Sequence, residues 1–130
     1  MIENNDSGRK NNLIMELTYQ FALSIIEYTD LLESKKKYNM ANQIFRSGTS
    51  IGANVREAQS AESIKDFIHK FKIAHKETLE TKYWLQLCQE SIKYPSNQEL
   101  LIAVNNIDNI IAKIILSNMK KLSGNNNSKF

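Results

Sequence analysis

The sequence lacks most residues that disulfide-bonded, metal-binding and membrane-inserted proteins need. Cys88 is the only cysteine among 130 residues, so no disulfide can form within the chain. The only histidines, His69 and His75, would lie on different faces of a helix, and no cysteine completes a metal-binding set. We find no apolar run long enough to span a membrane and no signal-peptide segment near the start. These absences predict a cytoplasmic, soluble protein without a metal or other cofactor.

Glycine and proline are also scarce, at four and one residues, while Leu, Ile, Lys, Glu, Asn and Ala are plentiful. This composition is typical of a single all-α domain. Without a strand there is no strand-linked phosphate loop, and without a Glu-x-x-His pair there is no di-iron bundle. Glu77 and Glu80 can share a helix face, where paired carboxylates on a lysine-rich helix favour ion pairs over acid–base catalysis. We therefore predict that the protein is not an enzyme.

Apolar residues at three- and four-residue steps predict four helices. The first extends from about Asn12 to Glu33, and the second follows Asn39, a candidate N-cap. The third extends from Ser63 to about Ser91, and the fourth follows Ser96 and ends near Leu122. Capping boxes at Ser63-x-x-Asp66 and Ser96-x-x-Glu99 mark two starts, and Gly124 is a candidate C-cap.

The connections between these helices are short, which predicts that consecutive helices are antiparallel neighbours. The expected fold is an all-α, antiparallel, up-down-up-down four-helix bundle over residues 12–123. Residues 1–11 and 124–130 are polar and rich in asparagine, and we predict that both are flexible tails.

The second predicted helix carries small residues on two sides. Gly48 lies on its apolar stripe, and Gly52 follows four residues later. Because a solvated helix face usually carries long charged side chains, we predict that one side packs in the core and the other against a neighbouring subunit. We expect leucine at Gly48 or Gly52 to break assembly before helicity. The polar set on this helix is Arg46, Ser50, Asn54 and Glu57.

Two interpretations of that polar set remain open. In one, Arg46 and Glu57 pair across a helix or subunit interface, since buried charges are normally paired. In the other, the set forms a ligand site, or Arg46 contacts RNA.

Basic residues line one face of the third predicted helix: Lys65, His69, Lys72 and Lys76. Together with Lys35 to Lys37, they indicate either a phosphate-binding surface or a solvated face whose charge nearby acids dilute. Three aromatic residues, Tyr83, Trp84 and Tyr94, either stack on bases or pack inside the protein, and packing is the commoner role. Cys88 is expected to be a small core residue. The net charge of only +3 is low for a protein that binds nucleic acid by charge alone.

The segment RSGTSIGANVREA, at residues 46–58, closely resembles the second-helix signature of the four helix bundle protein family. These are the proteins encoded in intervening sequences of bacterial 23S ribosomal RNA genes, together with free-standing relatives. DFI at 66–68, IAHKE at 73–77 and ETKYWL at 80–85 resemble the third-helix signature of one branch. The resemblance extends from about Leu13 to Leu122.

The resemblance implies an antiparallel four-helix bundle that forms a ring-like homopentamer without known enzymatic activity. Some relatives are accessory proteins of diversity-generating retroelements, which bind nucleic acid through basic surfaces and partner a reverse transcriptase. The leading hypothesis is a homopentameric bundle that binds structured RNA or DNA, or a ribonucleoprotein partner. Its phosphate contacts would come from Arg46, Arg56, Lys65, Lys72 and Lys76. The alternative is a protein-interaction scaffold with no nucleic-acid role.

Overall fold

The computed structural model describes the backbone of residues 2–127 and the side chains of residues 8–124. This part of the chain contains four α-helices and no strand. The helices are α1 (Ile2–Ser34), α2 (Tyr38–Ala58), α3 (Ile64–Glu90) and α4 (Gln98–Asn127). The predicted all-α class is therefore confirmed.

The outer ends of the bundle differ from the sequence prediction. α1 begins at Ile2 rather than near Asn12, and α4 continues through Gly124 to Asn127. Gly124 is thus not a C-cap, because it lies inside a helix. Residues 1 and 128–130 of the predicted tails lie outside the described residues, and the flexibility of both tails stays a prediction.

One of the three predicted N-terminal caps is confirmed. The hydroxyl of Ser63 accepts a hydrogen bond from the backbone N–H of Asp66 at 3.0 Å, so α3 begins where its capping box predicted.

The other two caps were wrong. The Ser96 hydroxyl donates instead to the Gln89 side chain at 3.3 Å, and the carbonyl of Asn97 accepts the first bond of α4, from the N–H of Leu101 at 3.0 Å. Helix α2 begins one residue before Asn39, with Lys37 at the cap position and no side-chain cap.

The lysine run between α1 and α2 forms a tight turn. The N–H of Lys37 donates to the carbonyl of Leu32 at 2.9 Å, and that of Lys36 donates to Glu33 at 2.9 Å. This is the paired pattern of a Schellman motif, which requires a left-handed residue just past the helix end. Lys36 occupies that position with φ of 63°. The turn therefore holds a side chain where glycine is ordinarily preferred.

Replacing Lys36 with glycine is expected to stabilise the protein by about 1 kcal/mol, since glycine adopts this conformation without a steric penalty. Chemical denaturation of wild type and Lys36→Gly measures the difference. Lys35→Gly is the matched control, because Lys35 is also exposed but has no positive φ. Equal effects of the two changes would show that the left-handed backbone of Lys36 carries no strain.

The core contains the apolar stripe of each helix. On α2 the predicted stripe is fully confirmed, because all its members are buried: Ala41, Ile44, Gly48, Ile51, Val55 and Ala58. Phe71 of α3 is the largest fully buried side chain among the described residues. Gly48 brings α2 against α1, since a Cβ at this position would lie 2.9 Å from the side chain of Ile25.

Contacts between neighbouring helices occur in reverse sequence order. Gly48 lies beside Ile25, whereas Gly52, further along α2, lies beside Thr18, earlier in α1. α2 and α3 show the same reversal, because Arg46 pairs with Glu80 and the later Glu57 pairs with the earlier Lys70. Four helices therefore share one core, with each packed against two others.

Helix α4 corrects one expectation from the sequence. Its segment from Gln98 to Gly124 is long and apolar enough to cross a membrane by length and composition. Core helices of soluble proteins pass the same test, and α4 contributes Val104, Ile107 and Ile111 to the core. Ile102, Leu116 and Met119 are 45% to 61% exposed, so part of the apolar surface of α4 remains uncovered. Charged residues such as Asp108 interrupt this segment, so it contains no continuous apolar run that would mark it in the sequence.

Candidate nucleic-acid interface

The three candidate lysines of α3 are exposed on its outer surface. Lys65, Lys72 and Lys76 fall at seven- and four-residue steps, so they share one side of the helix with the exposed His69. None of the three forms a salt bridge within the described residues. We call these three residues the lysine face, and their ammonium groups are available to anionic partners.

An apolar groove of about 540 Å³ runs beside the lysine face, between α3 and α4. Lys72 and Lys76 border it, and so does His75, whose Nε2 lies 2.9 Å from the Asp108 carboxylate of α4. Its other lining residues belong to α4: Ala112, Ile115, Leu116 and Met119. The lysine face therefore adjoins exposed apolar surface, and His75 is engaged with an acid rather than free to bind phosphate.

The two candidate arginines do not join the lysine face. Arg56 lies over the ring of Tyr19 on α1, with 5.7 Å from its guanidinium carbon to the ring centroid. Because Arg56 contacts α1 while Lys72 and Lys76 border α4, these charges lie on different sides of the bundle. Arg56 is nevertheless exposed and has no salt bridge within the described residues.

Arg46 forms ion pairs with α3. One terminal nitrogen lies 2.8 Å from the carboxylate of Glu80, and the other lies 3.7 Å from that of Glu77. The suggested partner Glu57 instead pairs with Lys70 at 3.4 Å, because it lies three turns further along α2. Arg46 and Glu57 are therefore both paired across the α2–α3 interface, but with residues of α3 and not with each other. The prediction that Glu77 and Glu80 are ion-pair partners is confirmed.

Glu77 is the more deeply placed of the two acids. Burial raises its pKa, as does the negative charge of Glu80, and Arg46 partly offsets both effects. Its Oε2 is buried and accepts no hydrogen bond from the described residues. Arg46 thus neutralises the charge of two carboxylates, Glu77 and Glu80. Its guanidinium is therefore poorly placed to bind a phosphate group.

Ser50 and Asn54 bond to their own helix. The hydroxyl of Ser50 donates to the carbonyl of Arg46 at 2.6 Å, and the amide of Asn54 donates to that of Ser50 at 2.8 Å. Both side chains are half-buried, and these hydrogen bonds go to backbone carbonyls rather than to the charged groups of Arg46 or Glu57. Their role in a subunit interface stays a prediction.

The aromatic candidates are dispersed. Tyr83 is 57% exposed and packs edge-on against Trp84, with ring centroids 5.3 Å apart. Tyr94 lies under the ammonium of Lys37, 4.9 Å from its ring centroid. Cys88 is fully buried, as predicted, and burial raises the pKa of its thiol. Among the three aromatic residues, only Tyr83 presents a ring on which a base could stack.

Sequence reasoning missed a set of exposed apolar side chains on α1 and α2. Tyr19, Leu23 and Ile26 of α1 and Phe45 of α2 are each between 39% and 50% exposed. We call these four residues the α1–α2 face. Its signal was present in the spacing 19, 23 and 26, which forms a second apolar stripe beside the core stripe of the first helix. A surface of this kind often marks a protein contact.

The described residues contain no group of three or more His, Cys, Asp or Glu side chains placed to hold a metal ion. No curated protein gives a significant match to the chain. A solved structure from Bacteroides thetaiotaomicron, a protein of unknown function from the S23 ribosomal protein family, is 39% identical with a TM-score of 0.76. That match covers 82% of this chain and 97% of the other.

A sequence model described as the 23S rRNA-intervening sequence protein matches residues 10–116. This range includes both motif segments in α2 and α3 and most of the four-helix core. The chain belongs to the 23S rRNA-intervening sequence protein family.

Proposed function

We propose that this protein is a non-enzymatic cytoplasmic homopentamer that binds structured nucleic acid or a ribonucleoprotein partner. The observation that carries the proposal is the lysine face, since Lys65, Lys72 and Lys76 are exposed and have no salt bridge within the described residues. Such ammonium groups can neutralise phosphates and release counterions. The chain also belongs to a family whose description refers to an intervening sequence of 23S ribosomal RNA, which is consistent with this role.

The proposed subunit is an antiparallel up-down-up-down bundle. Reverse-order contacts between α1 and α2, and between α2 and α3, support it. α3 and α4 add a third case, because His75 pairs with Asp108 while Leu85, later in α3, accepts a hydrogen bond from Asn97, the residue just before α4. The alternating direction follows from the short turns between the helices.

The α1–α2 face supports the proposed assembly. Exposed aromatic and aliphatic side chains here would be covered by a neighbouring subunit, as oligomer contacts are rich in such residues. On the same side of α2, Thr49 and Ala53 present short side chains, which allow another helix to approach closely. A ring of five subunits would repeat the lysine face five times, so a small net charge per chain would act collectively.

Replacing Lys65, Lys72 and Lys76 together with glutamine is expected to weaken binding to a structured RNA and to flatten its salt dependence. Loss of three phosphate contacts lowers the slope of log K against log salt by about 2 to 3. Fluorescence polarisation at low and near-physiological salt measures both quantities. The matched control replaces Lys10, Lys82 and Lys93 with glutamine, which removes the same charge away from the lysine face.

Unchanged binding by the lysine-face variant, or an equal loss in the control, would contradict the assigned site. Native mass spectrometry on the same samples tests the proposed assembly separately, and a monomer at micromolar concentration would contradict the pentamer. A third variant, Arg56→Gln, removes a charge on another side of the bundle. We expect it to lose less RNA affinity than the lysine-face variant, because Arg56 lies outside the assigned site.

A protein-interaction scaffold is the second candidate function. The observation that favours it is the amount of exposed apolar surface, which includes the α1–α2 face and the groove beside the lysine face. A pentamer that binds no RNA or DNA at either salt concentration would favour this function over the first.

A further inference from the structure

A second groove, between α1 and α4, is separate from the lysine face and from the α1–α2 face. Its volume is about 830 Å³, and α1 and α4 pack least closely of the four neighbouring helix pairs. Along α1 it extends from Leu17 to Leu31, a length of about 20 Å at the helical rise per residue. We call it the α1–α4 groove. It is long enough to hold about four turns of another helix.

The floor of the α1–α4 groove is apolar, and its walls carry acids and amides. Phe21 and Ile107 close the floor and are buried. The exposed apolar surface in the groove comes from Leu17, Leu31 and Ala103. Glu27 and Glu99 are both exposed carboxylates in the walls, and no lysine or arginine lines the groove among the described residues. The groove therefore combines an apolar strip with negative charge.

The wider surface of α1 has the same character. Between residues 11 and 34 the chain has the acids Glu16, Glu27, Asp30 and Glu33 and no lysine or arginine, although the whole chain is basic. The α1 side of the groove therefore belongs to a stretch of chain with net negative charge.

We propose that the α1–α4 groove binds an amphipathic helix of another protein, with an apolar stripe flanked by lysine or arginine. A helix in a groove is a recurring mode of protein recognition, and its anchors repeat at three- and four-residue steps. The apolar stripe would cover the floor, and the basic side chains would meet Glu27 and Glu99. Charge complementarity favours this occupant over an acidic helix or a nucleic acid, which the carboxylates would repel.

The test uses a fluorescein-labelled model peptide of leucine and lysine, about 18 residues long, with its leucines on one helical face. The same peptide with glutamate in place of lysine is the charge control, and a permuted peptide of equal charge without an apolar face is the pattern control. Fluorescence polarisation with the wild-type protein is expected to show binding of the first peptide only. No binding of that peptide, or equal binding of either control, would overturn the proposal.

The variant Glu27→Lys with Glu99→Lys is expected to weaken binding of the leucine–lysine peptide by about tenfold or more, because two attractive charges become repulsive. Asp30→Lys with Glu33→Lys is the matched control: it changes the net charge equally on exposed positions of α1 that do not line the groove. Equal losses in the two variants would show charge attraction without a groove.

A bulky side chain in the groove tests the proposal sterically, and RNA binding and native mass serve as independent measurements. Ser24→Trp places bulk on an exposed groove position and is expected to weaken peptide binding without altering helicity by circular dichroism. Native mass should be unchanged in all groove variants, since they leave the α1–α2 face intact. RNA binding should be unchanged in Ser24→Trp, which keeps the net charge and the lysine face. A lower native mass in the groove variants would identify the occupant as a second copy of this chain and overturn the proposal.

Discussion

Replacing Gly48 with leucine is expected to destabilise the folded bundle by about 3 kcal/mol or more. Even a methyl group at this position would lie 2.9 to 3.1 Å from three carbons of the Ile25 side chain, and Ile25 is fully buried. A β-branched neighbour has little rotamer freedom with which to move away. Leucine has a higher helix propensity than glycine, but this stabilises the helix by only about 1 kcal/mol. The loss is a large share of the stability of a domain of this size.

This contact changes the outcome expected for leucine at Gly48. The sequence suggested that assembly would fail before helicity, but Gly48 faces the core of its own subunit, so folding and assembly should fail together. Gly52 differs, because its nearest neighbour is the Thr18 hydroxyl at 3.3 Å and it is only half-buried. For Gly52→Leu we still expect the protein to lose its assembly before it loses helical structure.

Chemical denaturation followed by circular dichroism measures the change in the free energy of unfolding of Gly48→Leu. Two further variants test its cause. Adding Ile25→Ala should recover part of the loss if the clash is its cause, although Ile25→Ala alone costs about 2 to 5 kcal/mol. Gly124→Ala is the control for propensity, since nothing lies within 4 Å of its Cβ position, and it should stabilise slightly. A leucine variant as stable as wild type would contradict the close packing of α1 and α2.

The second large effect is expected at Asn97, which links three parts of the bundle. Its side-chain amide donates to the Tyr28 hydroxyl at 3.1 Å and to the carbonyl of Leu85 at 2.9 Å, and its backbone N–H donates to Gln89 at 2.7 Å. The Tyr28 hydroxyl in turn donates to the carbonyl of Pro95 at 2.7 Å. Burial raises the pKa of Tyr28, so its phenol stays protonated and keeps donating.

Asn97→Leu is expected to cost about 3 kcal/mol in the free energy of unfolding, because two buried hydrogen bonds are lost and their acceptors are left without this donor. Tyr28→Phe should cost about 1 kcal/mol, since only the hydroxyl is removed. Asn97→Asp keeps the shape but replaces the donor with a buried carboxylate, so its deficit should grow as pH rises through the pKa of that acid. Wild-type stability in the Asn97→Leu protein would show that these bonds contribute nothing.

Sequence pattern predicted the parts of this fold that depend on periodic burial. The stripe on α2 and the start of α3 at Ser63 are as predicted, because apolar spacing and local capping chemistry decide both. The start of α4 was placed one residue early, since Ser96 and Asn97 are both good caps and only the buried contacts of Asn97 distinguish them. Local propensity does not report such long-range contacts.

The candidate site was harder to predict for a similar reason. Spacing placed Lys65, Lys72 and Lys76 on one face of a helix, and the structure agrees. Spacing could not tell that α3, rather than Glu57, supplies the partners of Arg46, because cross-helix pairs depend on the register between helices. The α1–α4 groove was also missed, since its lining residues belong to broad apolar stripes that look like ordinary core from sequence alone.

The complete burial of Cys88 has a practical consequence for mapping any assembly. A thiol with no exposed surface and a raised pKa forms little thiolate and does not meet reagents in the folded state. A cysteine introduced at an exposed site, such as Tyr83 or Ile102, would then be the single reactive position in the native protein. Spin labels, fluorophores and crosslinkers could thus be attached one site at a time to measure distances between subunits, with the natural cysteine left in place.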